Sequence, residues 1–292
     1  MPLVPEILVD PPHPLEPWFE DHRAERQAAR DLVDPAAGRE RSRAIIVMVH
    51  NEPVFFPIWL RYYSKFFDAG DIYVLDHDTD DGSTSGGGFN RIELHRAGFD
   101  NVWQVRQIEE LQRELLERYD IVAVTDVDEI IVPRPHMGDL GTYLDTFDEE
   151  FVSCMGYEIV HLPDREPAFD PDRPVLEQRG YWSENAAYNK SSLTTEPASW
   201  FPGFHRRSDL HFRGDPDLFL VHLHRVDYDL CLKRHRRWSD RDWSARDLDS
   251  EWGVHNRIAG GEEFDRWYFT ETGFEGFPLR IERIPAEWKG VF

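Results

Sequence analysis

The segment Ile121-Val-Ala-Val-Thr-Asp-Val-Asp-Glu-Ile-Ile-Val132 constrains the fold more than any other. Ile121 to Val124 is a short apolar run, the make-up of a central strand covered on both faces. Asp126, Asp128 and Glu129 follow at once, and the apolar pattern resumes at Ile130 to Val132. Burying unpaired charge is costly, so a core strand does not end in three carboxylates without a reason. Alternate strand residues share a face, so Asp126 and Asp128 are expected to converge while Glu129 points elsewhere. Two hard oxygen ligands on one rim suit Mg²⁺ or Mn²⁺, especially a cation already carrying a diphosphate. A solvated acidic loop is the plain alternative, and the apolar flanks on both sides favour a site.

The chain has 292 residues and 40% hydrophobic content, enough for one large α/β domain with extensions. Its formal net charge of -23 argues against sequence-independent nucleic-acid binding, which depends on neutralising phosphates. The same charge fits badly with an anionic membrane surface. An anionic substrate therefore needs local compensation by a metal or by clustered arginines. Cys154 and Cys231 form neither a disulfide framework nor a CxxC site, and read as free core thiols in a reducing compartment. No apolar run approaches membrane-span length, and the N-terminus lacks a signal-peptide pattern. A cytoplasmic protein without a transmembrane segment is expected.

Residues 1–42 form a Pro-rich, then charged, N-terminal extension, with a surface helix expected over Glu16 to Val33. The domain spans 43–240, with a regular half at about 43–132 and a less regular half at about 133–240. Residues 241–292 are a C-terminal extension packed on it. Ala44 to Val49 reads as a buried strand ended by His50-Asn51-Glu52. Phe55, Phe56, Ile58, Trp59, Tyr62, Tyr63 and Phe66 give a helical apolar face after Pro53. Ile72 to Leu75 is a second strand, running into the acidic loop Asp76-His-Asp78 and beyond. A helix is expected around Asn90 to Ala97, a strand at Val102 to Val105, and a helix from Ile108 to Tyr119. Alternating strands and helices define a doubly wound α/β unit, which binds ligands at the carboxyl ends of its strands. Asn51-Glu52, Asp76 to Asp78 and Asp126 to Asp128 all fall there. Gly86 to Gly88 lacks the spacing of a phosphate loop and reads as a surface loop.

The second half is less regular. A short helix is expected over Gly138 to Phe147, with strands at Phe151 to Met155 and Tyr157 to Leu162. Tyr181 to Phe204 mixes Trp182, Tyr188, Lys190, Trp200 and Phe204 with polar residues, which suits a substrate wall or a folded-over loop. Leu218 to Val226 is a strand whose His222 and His224 lie two apart, on one face beside Arg225. Such imidazoles complete a metal shell or serve as acid or base. A helix follows at Tyr228 to Trp238, with Arg234, Arg236 and Arg237 as basic features. No chemistry is assigned to the remainder.

These pieces resemble the family 2-like glycosyltransferases of the GT-A fold, close to the subgroup related to family 92. The likeness is carried by His50-Asn51-Glu52, Trp59-Leu-Arg-Tyr-Tyr63, Asp76-His-Asp-Thr-Asp-Asp-Gly-Ser83 and Thr125-Asp126-Val-Asp128-Glu129. Tyr188-Asn-Lys190, Gly203-Phe-His205 and His222-Leu-His224-Arg225 add to it less specifically. The resemblance implies a Rossmann-like, mostly parallel central sheet flanked by helices, with an irregular acceptor-side C-terminal part. It implies sugar transfer from a UDP- or GDP-sugar to a carbohydrate hydroxyl. Asn51, Glu52, Asp76 and Asp78 would hold the nucleotide. Asp126 would lie near ribose and metal, Asp128 would coordinate Mn²⁺ or Mg²⁺, and His222 or His224 would supply a later ligand. The chain departs from the family 2 pattern in lacking a Glu-Asp pair where many inverting members place their base.

The chemistry asks for charge stabilisation on the leaving diphosphate, a base for the acceptor hydroxyl, and exclusion of water. Lys190, Arg206 and Arg225 are candidate diphosphate partners, and His205 and Asp209 are candidate bases. Three other functions compete. A nucleotidyltransferase would want a basic, glycine-rich loop where His50 to Pro53 stands. A metal-dependent hydrolase could use His222 and His224. A non-catalytic carbohydrate-binding protein leaves the polar strand ends unexplained.

Overall fold

The computed structural model describes residues 41–208, 212–272 and 278–292. The N-terminal extension up to residue 40, with its expected helix, lies outside them, as does the candidate base Asp209. The first half comprises β1 (Arg43–Val49), α1 (Phe55–Tyr63), β2 (Ile72–His77), β3 (Asn90–Leu94), α2 (Asn101–Leu115) and β4 (Ile121–Thr125). β1 pairs in parallel with β2 and β4, and β2 pairs in parallel with β3. The spatial order is β3-β2-β1-β4, so the winding direction reverses between β1 and β4. A doubly wound sheet opens its ligand crevice at that reversal, beyond the carboxyl ends of the strands.

Two expected elements come out differently. The segment expected as a helix from Asn90 is strand β3. It is an edge strand whose residues alternate between exposed and half-buried, so it shows only the sparse apolar pattern of Ile92 and Leu94. The strand expected at Val102 to Val105 lies inside α2. Asp100 caps that helix by accepting the N–H of Trp103 at 3.0 Å, and Val105, Ile108, Leu111 and Leu115 then line one buried face.

The second half comprises β5 (Glu129–Pro133), α3 (Leu140–Asp145), β6 (Phe151–Val160), α4 (Val175–Gln178), β7 (Tyr181–Glu184), β8 (Leu193–Thr194), β9 (Gly214–Arg225), α5 (Tyr228–Ser239), α6 (Ala245–Asp249), α7 (Gly261–Thr270) and β10 (Glu282–Arg283). β8 joins the halves, antiparallel to both β4 and β6. β9 runs antiparallel to β5 and parallel to β6. This register sets Glu129, His222 and Glu158 side by side across three strands. The two strands expected between Phe151 and Leu162 are one strand, β6, that runs through Gly156. A Cβ at Gly156 would sit 2.5 Å from the carbonyl oxygen of Asn185, so only glycine lets that segment pass. The C-terminal segment joins the same sheet, because β10 pairs with β7, and Trp288 and Phe292 enter the main core.

Helices cover both faces of the first half. α1 packs its Phe55, Phe56, Ile58 and Trp59 on one face, and α2 packs its apolar face on the other. Full burial of each such side chain stabilises by about 1.5–3 kcal/mol. α1 also grips the acidic turn from behind. Trp59 Nε1 donates to Thr125 Oγ1 at 2.8 Å, just before Asp126. The Tyr63 hydroxyl donates to the Glu129 carbonyl at 3.1 Å and accepts from the Ile131 N–H at 2.9 Å. Both flanks of the turn are thereby tied to one helix. Among the described residues, no helix is long and apolar enough to cross a membrane.

Candidate active site

A cavity of about 280 Å³ opens at the carboxyl ends of β1 and β4. Glu52 follows β1, Asp126 and Asp128 follow β4, and His222 and His224 reach in from β9. Lys190 and His205 complete the set of sequence-nominated residues on its wall.

Asp128 is the centre of the charge arrangement. It is buried, and its Oδ2 is bonded by Arg234 Nη1, with His222 Nε2 at 3.4 Å and His224 Nδ1 at 4.0 Å. Burial alone would raise its pKa, but Arg234 and His222 outweigh that and hold the carboxyl well below the usual range. Arg234 Nε donates to Glu52 Oε1 at 3.1 Å, and its guanidinium lies between the rings of Phe55 and Trp238, 4.6 and 4.5 Å from their centroids. Arg237 adds a bond to Glu52 at 2.7 Å. Burial still raises the Glu52 pKa against the pull of these two arginines.

Asp126 does not turn with Asp128. Its carboxylate is partly exposed and meets Lys190 Nζ at 2.5 Å, and Lys190 also reaches Glu129 Oε1 at 2.6 Å. The aspartates of the motif thus face one cavity but bond different cations. The donors that lie together are an Asp128 oxygen, a His222 nitrogen and a His224 nitrogen, all within 4.8 Å of one another. One hard oxygen and two borderline nitrogens are a donor set that fits a divalent transition ion such as Mn²⁺.

His222 stands between two carboxylates. Nδ1 meets Glu158 at 3.0 and 3.1 Å, and Nε2 faces Asp128. Burial disfavours its charge, yet Glu158 and Asp128 outweigh burial and raise its pKa to about 10. Tyr188 stacks on the ring at 3.9 Å between centroids and fixes its plane. His205 is the opposite case. Burial, then Lys190, lowers its pKa to about 4. Its Nδ1 donates to the Ala187 carbonyl at 2.5 Å, so Nε2 carries the lone pair. Gly203 and Phe204 both adopt positive φ, 82° and 58°, to bring His205 round, and a Cβ on Gly203 would strike that ring at 2.8 Å.

Other nominated residues lie away from this wall. Asp76 is taken up by Arg91 at 2.6 Å and Thr84 at 2.7 Å, and Asp78 pairs with His95 at the surface. Asn51 binds the backbone of Asp80 and Asp81, shaping the loop after β2. Arg225 is buried, donates to the carbonyls of Tyr268 and Glu271, and lies over the Trp267 ring. Its sequence role as a diphosphate partner meets a packing role here, because both guanidinium ends are spent on backbone. Arg206 is exposed, its guanidinium over the Phe201 ring.

Several wall residues were not nominated. In the sequence Arg234 is one basic residue among several on its helix, and Arg241 and His255 come from a segment with no recognisable chemistry. Among the described residues Arg241 has no carboxylate within ion-pair distance; burial and then Arg237 push its pKa down to about 10. Glu158 did carry a signal: a lone charge inside the apolar run Tyr157-Glu-Ile-Val160.

No family model and no curated protein matches the sequence. Among solved structures, the chain is similar to glucosyl-3-phosphoglycerate synthase from Mycobacterium tuberculosis, solved with Mg²⁺ and uridine diphosphate. Identity is 17%, over 42% of this chain and 41% of that one, with a TM-score of 0.23. A mycobacterial protein aligns at 18% identity over 49% and 46% of the two chains, with a TM-score of 0.29. The mannosyltransferase PcManGT from Pyrobaculum calidifontis, solved with GDP-Man and Mn²⁺, aligns at 16% identity over 51% and 44%, with a TM-score of 0.25. The alignments span less than half the length of these structures.

Proposed function

We propose that the chain is a metal-dependent glycosyltransferase that moves a sugar from a nucleotide-sugar donor to a carbohydrate hydroxyl. The observation that carries this reading is the cavity at the β1/β4 reversal, where Asp128, His222 and His224 gather among fixed cations in an otherwise acidic protein. Those three residues would hold Mn²⁺ or Mg²⁺, with Asp126 next to them on the same rim. A bound divalent ion supplies Lewis-acid stabilisation to a departing diphosphate.

The chain's own side chains do the rest. Arg241, on the wall and without an acidic partner among the described residues, is a ready donor to phosphate oxygens. Arg234 and Lys190 hold Asp128 and Asp126 in place and keep positive charge beside them. His205 offers a neutral imidazole with a lone pair at Nε2, to accept a hydrogen bond from the acceptor hydroxyl. Its low pKa makes it a weak base that stays unprotonated at neutral pH. Asp209 is the second candidate for that role. UDP- and GDP-sugars are the donor classes proposed.

The test is release of nucleoside diphosphate from a panel of UDP- and GDP-sugars with Mn²⁺, with and without glycan acceptors. Acceptor-stimulated release supports the transferase. Pyrophosphate release from a nucleoside triphosphate and sugar phosphate would indicate a nucleotidyltransferase instead. Turnover of glycosides or phosphate esters without any nucleotide would indicate a hydrolase.

A further inference from the structure

Each of the paired histidines has its outward nitrogen engaged by a partner that leaves no choice of tautomer. Glu158 is fully buried and lies opposite His222 in the β6–β9 register. Both its oxygens meet His222 Nδ1, and a carboxylate only accepts, so Nδ1 carries the proton. The backbone N–H of Arg225 donates to Glu158 Oε1 at 3.3 Å and helps hold the carboxylate there. In the metal-free chain the raised pKa leaves a second proton on Nε2, toward Asp128; a cation would bind there by displacing that proton, while Nδ1–H stays on Glu158.

His224 is set by two bonds in series. The Ile258 carbonyl only accepts, so His235 Nδ1 donates to it at 3.2 Å. His235 Nε2 must then accept, and His224 Nε2 donates to it at 2.8 Å. Nδ1 of His224 is left with its lone pair, on the side of Asp128. Cys231 also lies near His224 and His235, which raises a second metal site as a rival account. The 2.8 Å between the imidazole nitrogens speaks against it, because two nitrogens on one tetrahedral zinc lie roughly 3.3 Å apart.

We propose that Glu158 and His235 are positioning residues that turn Nε2 of His222 and Nδ1 of His224 toward Asp128, so that three ligand atoms face one cation. The inference rests on the metal reading above and adds the residues that pre-set its ligands. A partner on the far nitrogen of a metal-bound imidazole commonly changes metal affinity by roughly 10–100-fold.

The experiment is calorimetric titration of Mn²⁺ into the full chain, with thermal unfolding of each metal-free variant as a check on folding. Glu158→Gln keeps the shape but removes the charge and the acceptor-only partner, so Nδ1–H is no longer fixed; Mn²⁺ affinity should fall roughly 10–100-fold. His235→Leu removes the acceptor for His224 and should fall likewise, while His235→Gln restores an acceptor and should recover part of the loss. Wild-type affinity in folded Glu158→Gln and His235→Leu overturns the proposal. Side-chain nitrogen NMR of the Mg²⁺-loaded wild type tests it without any variant. Protons at Nδ1 of His222 and Nε2 of His224 support it, and the reverse tautomers overturn it. A wild type that binds no divalent ion overturns both this inference and the metal reading. A wild type that binds Mn²⁺ through these ligands but transfers no sugar overturns only the transferase reading.

Discussion

Glu52 and Asp128, which follow neighbouring strands β1 and β4, share one guanidinium, that of Arg234. The shared arginine spans the switch point of the sheet and neutralises both acids inside a buried wall. Removing one partner of a buried ion pair typically costs about 3–5 kcal/mol, because the other charge is stranded. Arg234→Met is therefore expected to lower unfolding stability by about that amount in urea denaturation. A loss below about 1 kcal/mol would mean that the two carboxylates do not rely on it.

The Tyr63 hydroxyl accepts the N–H of Ile131 and donates to the carbonyl of Glu129. Tyr63→Phe keeps the ring and leaves both backbone groups short of a partner. A cost of about 1–3 kcal/mol is expected, measured by chemical denaturation. Because the same bond steadies the turn after Asp128, metal affinity should weaken as well. Unchanged stability and affinity would show the turn to be held by packing alone.

Gly156 allows Asn185 to Tyr188 to cross β6, and Tyr188 stacks on His222. Gly156→Ala would drive a Cβ into the Asn185 carbonyl and the Tyr188 backbone. Overpacking of this kind costs about 1–3 kcal/mol. The crystal structure of the variant should show Tyr188 displaced from the His222 ring. An unmoved Tyr188 would contradict the dependence claimed here.

His161 is buried, donates through Nε2 to the Glu166 carbonyl at 3.2 Å, and accepts the N–H of Tyr228 at Nδ1, at 3.1 Å. Burial, then Arg179, lowers its pKa below 6.5, although Asp227 and Glu166 pull the other way. Above pH 6.5 the ring is neutral in both folded and unfolded chains. Below it, the unfolded chain takes up a proton that the folded chain resists, so stability falls as pH falls. Unfolding free energy measured downward from pH 6.5 should decline, and His161→Gln should flatten part of that slope. An identical slope in the variant would remove His161 from the acid response.

How much of this was legible follows from the range of the interactions. β1, β2 and β4 show near-continuous apolar runs that announce them, whereas β9 shows one only from Leu218 to Val221 and its first residues, Gly214 to Asp217, carry no strand signal. Helix α1 shows its face through the spacing of Phe55, Trp59 and Tyr63. The acid turn stood out because charge interrupts a core pattern. β3 was not legible, since an edge strand with two apolar residues reads as readily as a helix. The start of α2 is masked because Val102 to Val105 mimics a short strand and only the cap, Asp100, marks the helix. The partition of Asp126 to Lys190 and Asp128 to Arg234 could not be read at all, because the partners lie 64 and 106 residues away and only the folded sheet brings them in. The expectation that alternate residues converge describes a regular strand, and β4 ends at Thr125, before either aspartate.

In the proposed reaction Asp128 and the β9 histidines hold a divalent ion against a nucleoside diphosphate. This arrangement is tested most directly by titrating UDP and GDP into the full chain with and without Mn²⁺, for the wild type and for Asp128→Asn. One of the two nucleotides should bind the wild type only when Mn²⁺ is present, and this dependence should disappear in Asp128→Asn. Binding that is equal with and without metal in both proteins, or no binding of either nucleotide to the folded wild type, would contradict it.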